Sequence, residues 1–251
     1  MLKYFISLCL LLGYFTGQCQ NKPIDLQAKD TVVYSERYGL RVGVDLSRII
    51  LSMVRDGYTG MEFVGDYRLT QKIYLAAELG NEKYDQQEDL YDFTTSGSYL
   101  KFGVDYNTYE NWYGMNNSIF IGGRYAISSF NQTVNDHSIY GNNRYWYPDG
   151  FAPGIAGKQD YSGLSAMWLE FILGAKAELF ANFFLGVSAR LELLISNKEP
   201  DNFSNLWIPG FNKTTEGTRF GVGYNYTLTY FIPLYKKARK SKKPKEEETE
   251  E

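Results

Sequence analysis

Cysteine is almost missing from this sequence: only Cys9 and Cys19 carry a thiol, and both fall near the start of the 251-residue chain. With those positions assigned to a cleaved leader, the remainder has no disulfide, no thiolate metal site and no cysteine nucleophile. Histidine is scarcer still, with His137 alone. One imidazole without a thiolate leaves zinc and iron clusters short of ligands, so no cofactor is expected. Charge of one sign is also lacking, since the formal net charge is -3. That excludes the basic surface of a nucleic-acid binder. Beyond the first residues there is no apolar run long enough to cross a bilayer as a helix, and helically spaced Ala, Leu and Glu are absent.

What the chain does have is aromatic residues and glycine, with 22 Tyr, 16 Phe and 24 Gly. That is a strand-forming composition. The opening "MLKYFISLCLLLGYFTGQCQNK" has one lysine, Lys3, ahead of an apolar run from Tyr4 to Phe15, then small and polar residues. It reads as a secretory signal peptide over residues 1–19, cut after Cys19, with 20–36 as a periplasmic leader. A lipoprotein reading would acylate Cys19, but Gln18 is a poor match to the small residue wanted before it.

Eight later segments alternate with a period of two, the signature of strands with unlike faces. In "FLGVSARLELLIS" the apolar face carries Leu185, Val187, Ala189, Leu191, Leu193 and Ile195, while Arg190 and Glu192 share the other. The charged faces together hold Arg41, Arg68, Lys101, Arg124, Lys176, Arg190 and Arg219 against Asp45, Glu62, Asp66, Glu78, Asp105, Glu170, Glu178 and Glu192. Most segments reach the 9 to 11 residues a tilted transmembrane strand needs. Short connections on one rim ("TQK", "FAN") and long ones on the other fit the turns and outer loops of such proteins. The expectation is an all-β fold, an eight-stranded antiparallel transmembrane β-barrel of up-and-down meander type over residues 37–235. Its lumen is then filled by paired charges, with glycines making room for the long side chains. A soluble lipocalin-like barrel is the alternative, with the apolar face inside. Tyr58, Tyr67, Tyr74, Tyr84, Tyr99, Tyr106, Tyr109, Trp112, Tyr113, Trp168, Phe183, Tyr230 and Tyr235 fall near strand ends and are expected at headgroup level.

With its eight alternating segments, its "GQCQ" leader end and its charged tail, the chain resembles the small outer-membrane β-barrels common in Bacteroidetes, including an uncharacterised family of this design. The last segment, with Gly223, Tyr226 and Leu228, is similar to the signal that directs such barrels into the membrane. The resemblance implies an outer-membrane location with both termini periplasmic, and outer-membrane lipid as surroundings.

Candidate sites are few. "RYWYPDGFAPG" gathers Tyr145, Trp146, Tyr147 and Phe151, with Trp207 of "NLWIPGF" beside it. Such rings form a surface for a protein partner or glycan, or a self-packed lid over the barrel mouth. His137 with Asp136 and Ser138 is too local for a triad, since adjacent residues do not converge on one reacting atom. Glu170 and Glu192 read as part of the charge network rather than as an acid and base pair. The tail 236–251 is charged, lacks packing residues and is expected to be disordered. The expected role is structural or interactive and not enzymatic, an accessory subunit of a larger outer-membrane complex. The alternatives are an enzyme modifying lipid A or surface polymers, and a small pore.

Overall fold

A computed structural model describes residues 35–87, 91–109, 116–140, 145, 151–153, 158–200, 204–213 and 218–238. The expected signal peptide, nearly all of the stretch 20–36 and most of the tail lie outside the described residues, as do Trp112, Tyr113, Trp146 and Tyr147. In chain order the elements are β1 (Ser35–Asp45), α1 (Leu46–Val54), β2 (Tyr58–Arg68), β3 (Ile73–Gln87), β4 (Tyr91–Asn107) and β5 (Ser118–Tyr140). They are followed by β6 (Phe151–Pro153), β7 (Gln159–Phe180), β8 (Phe183–Lys198), β9 (Trp207–Ile208), β10 (Asn212–Lys213) and β11 (Phe220–Ala238).

Leaving aside the short β6, β9 and β10, each strand pairs antiparallel with the next, and β11 returns to pair with β1. The fold is therefore an all-β meander of eight strands closed into a ring. Paired residues can be followed once around it, from Val222 through Leu191, Phe171, Gly123, Val104, Leu75, Tyr67 and Leu40. The path comes back to β11 at Ile232, ten positions further on. A stagger of that size tilts the strands by about 40°. No described helix is long and apolar enough to cross a membrane.

The strands change character along their length. Nearer the chain termini the outward residues are apolar, among them Leu75, Phe102, Ile121, Leu169 and Leu191, while charged side chains fill the interior. Towards the far end the phase inverts. On β4 and β5, Thr94, Ser96, Ser129 and Asn131 face out, and Phe93, Tyr99, Phe130 and Val134 are buried inside. This inversion is why "DQQEDLYDFTTSG" and the start of "NQTVNDHSIYG" look like loops in the sequence: both belong largely to long strands whose apolar parity has flipped.

The first segment also departs from expectation. "YGLRVGVDLSRII" alternates only as far as Asp45, whose carboxylate accepts from the Ser47 N–H at 2.8 Å and caps α1. Leu46, Ile49, Ile50 and Met53 then follow helical spacing, so the chain leaves the sheet half-way up the ring. The aromatic expectation is corrected in part: Tyr58, Tyr74, Tyr84, Tyr99 and Trp168 point inwards and are buried, while Tyr106, Phe183, Tyr230 and Tyr235 face out.

Candidate functional site

The interior of the ring is the most structured chemical feature of the molecule. On β8, Arg190 reaches Glu78 of β3 at 2.6 Å and Glu170 of β7 at 2.9 Å. Lys101 of β4 also holds Glu170, at 2.8 Å, and the Trp168 indole N–H donates to the same carboxylate at 2.8 Å. Arg124 bonds Asp105 at 2.7 Å and approaches Glu78 at 3.5 Å. Lower down, Asp66 accepts from Arg41 at 2.7 Å and from Lys176 at 2.6 Å, and Arg41 stacks over Tyr74 and Phe184. Glycine makes this crowding possible at two points. A Cβ at Gly80 would lie 2.2 Å from the Tyr99 ring, and one at Gly122 would lie 2.2 Å from the Asp105 carboxylate.

The free space left among these groups is a cavity of about 30 Å³ lined by Asp66, Glu78, Arg124, Lys176 and Arg190, room for about one water molecule. Buried charges are tolerable only when each finds a partner of opposite sign, and here most do. Glu192 differs. It is buried beside Glu170 on the neighbouring strand, and among the described residues no hydrogen bond or ion pair reaches its carboxylate.

Above the network the β9–β10 hairpin folds into the ring and stops it. Ile208 and Phe211 pack with Tyr99, Phe130 and Trp168, and Trp207 packs with Tyr58, Tyr84 and Phe93. Polar groups of the wall grip the hairpin backbone: Gly210 N–H donates to Glu82 at 3.2 Å, Lys101 donates to the Gly210 carbonyl, and Leu206 N–H donates to Gln132 at 3.0 Å. From α1, Arg48 bonds Glu82 at 2.9 Å and the Asn212 side chain at 3.0 Å. Burial opposes the charge on Arg48, and the carboxylates of Glu82 at 2.9 Å and Glu62 at 3.9 Å offset that cost. Arg55 caps the stack, lying over the Tyr84 and Trp207 rings.

Most residues expected in the interior are found there, with three exceptions of detail. Arg219 is exposed, because β11 starts only at Phe220 and the preceding residue stands clear of the ring. Glu178 is half-buried at the rim near the termini and meets Arg37 at 3.3 Å. Asp45 pairs with no cation among the described residues; it caps α1 and accepts from the Asn225 amide. Of the expected partner-binding aromatics, Trp207 is a core residue at 5 % exposure, not a surface one, because its hairpin turns inwards. Tyr145 is exposed, and the side chains of Phe151 and His137 lie outside the described residues. Sequence reasoning missed Arg48, Glu82 and Arg37, and with them Glu36, which meets Arg68 at 2.8 Å. Glu82 was within reach, since it continues the Glu78 and Gly80 parity by one step. Arg48 was not, because it sits on a helix taken for strand.

The family model described as a domain of unknown function (DUF6048) matches residues 1–237. No curated protein matches the chain.

Proposed function

The chain belongs to the DUF6048 family, and from that premise we propose that it is a small outer-membrane β-barrel of the Bacteroidetes kind that works without catalysis, as a structural or interaction protein. Its termini are periplasmic and the far end of the ring faces outwards. The observation that carries the reading is the inversion along single strands: apolar outside and charged inside over one part, polar outside and aromatic inside over the next. A protein surrounded only by water gains nothing from the first arrangement, whereas a ring standing in hydrocarbon and emerging into water needs both. The strand tilt of about 40° lies in the range of such barrels.

An interaction role follows from what the interior is built to do. Among the described residues, paired charges below and the hairpin above fill the interior, which argues against a pore. The same charges hold one another, which argues against their serving a substrate. The surfaces left for work are the wall and the outer end, so the expected partners are membrane lipid and a protein in the same membrane.

The test is purification of the tagged full chain from native membranes in mild detergent, with mass spectrometry of stoichiometric companions. A constant partner in an outer-membrane fraction supports the reading. Recovery of the chain in the soluble periplasmic fraction would overturn it.

A further inference from the structure

The wall of the ring is incomplete where α1 stands in for a strand. β1 leaves β11 at the Asp45–Thr227 pair, and its pairing with β2 ends at Val44 and Phe63. Beyond those points β2 and β11 have no strand between them. On the β2 side Ser52 of α1 covers the edge: its hydroxyl accepts from the Gly60 N–H at 2.8 Å and has the Arg48 carbonyl at 2.8 Å and the Gly60 carbonyl at 3.2 Å as acceptors for its single proton. On the β11 side no hydrogen bond joins Phe220–Tyr226 to α1 among the described residues. Yet every second residue of an antiparallel strand turns both its backbone groups away from the neighbour it is paired with. Exposure marks the same stretch. Val222 is 80 % exposed, against 49 % for its paired neighbour Leu191 and 55 % for Phe63, which are flanked on both sides.

A second, independent feature lies just inside this edge. The Glu192 carboxylate leans across the inner face of β11, where a Cβ at Gly221 would lie 2.8 Å from one oxygen and a Cβ at Gly223 would lie 3.0 Å from the other. The two glycines thus leave the carboxylate beside the open edge with no side chain of β11 in the way. Among the described residues, Glu192 is a buried carboxyl group that no hydrogen bond or ion pair reaches, next to a row of backbone groups that no neighbouring strand pairs.

We infer that the Phe220–Tyr226 edge is a docking site for an extended segment of a partner protein, added to β11 as a further strand. The segment carries apolar residues on its outward face and a lysine or arginine on its inward face, at the level of Glu192. An open sheet edge binds extended chain through backbone hydrogen bonds and draws its selectivity from alternate side chains. Within a membrane that edge is costly to leave bare, which favours a segment that satisfies it. A second copy fits less well: copies inserted in one direction bring their β11 edges together running parallel, whereas a separate segment is free to lie antiparallel.

The inference rests on the barrel reading above, and the experiment separates the two. The full chain is folded in detergent micelles, its folded state is checked by the heat dependence of gel migration, and a labelled nine-residue peptide alternating valine and lysine is titrated in. Saturable binding is expected, about tenfold weaker for Glu192→Gln, with amide exchange slowed at residues 221–226. Because that measurement on the unsubstituted chain locates the site, it does not depend on the variant folding. Equal binding of a valine–glutamate peptide, protection elsewhere in the chain, binding indifferent to Glu192→Gln, or no binding by a chain that migrates as folded would each overturn the inference alone. Cross-linking of the chain to itself through a photoreactive residue at Val222 would overturn it in favour of a second copy. A chain that never migrates as folded would overturn the barrel reading and the inference with it.

Discussion

Arg190 stands between Glu78 and Glu170 and neutralises both. Replacing it by methionine keeps most of the volume and leaves two buried carboxylates short of a cation. The expected loss for Arg190→Met is about 3–5 kcal/mol, read as a lower temperature at which the folded gel species disappears. Arg219→Ala, at an exposed position outside the network, is expected to change that temperature little, within about 0.5 kcal/mol. Had the charges merely been a solvated face, the two substitutions would behave alike. The sequence made the inward set of residues legible through parity, from Arg41 to Glu192. It could not say which charge meets which, because Arg190 and Glu78 are 112 positions apart and register across the ring decides the pairing. The unpaired state of Glu192 was illegible for the same reason: its sequence neighbour Arg190 turns to other strands.

At the scale of elements, α1 and the β9–β10 hairpin are the parts that an idealised meander would not contain. Ser52→Ala takes away the hydroxyl that accepts from the Gly60 N–H, leaving that donor of the strand edge unsatisfied. A cost of about 1–3 kcal/mol is expected, seen as faster amide exchange at Gly60 while exchange in β7 and β8 stays unchanged. Trp207→Ala removes a ring that packs against Tyr58 and Tyr84, at a cost of about 3–5 kcal/mol. Limited proteolysis should then cut within the hairpin of the variant under conditions that leave the unsubstituted chain whole. Equal resistance would show that the hairpin is held by its backbone bonds alone. The long strands were only partly readable in advance. Alternation survived along β4 and β5, but the apolar residues moved to the opposite parity near Ile127, and a search for one apolar face stops there. The helix was hidden by a capping aspartate placed at a position that continues the strand pattern.

For the whole molecule, the inversion of the strands sets where labels can reach. Cys9 and Cys19 are the only cysteines and both precede the ring, so single cysteines can be placed at will within it. Ser129→Cys is expected to react with a membrane-impermeant thiol reagent in reconstituted vesicles, and Leu169→Cys to stay unlabelled until detergent is added. Labelling of both without detergent would remove the membrane reading. The ring, its order and its closed topology follow from eight alternating segments and short turns, which is why they were legible; the interior plug was not, since "NLWIPGF" reads equally well as a surface loop. The pairs that fill the interior join strands from distant parts of the chain, as Lys176 does with Asp66 and Arg190 with Glu78. A fragment ending before β7 therefore holds Asp66 without Lys176 and Glu78 without Arg190, and cannot rest in hydrocarbon by stages. On the membrane reading proposed above, entry has to wait for the final strands to be made, so the time between synthesis and insertion is a period in which this chain depends on being kept in water.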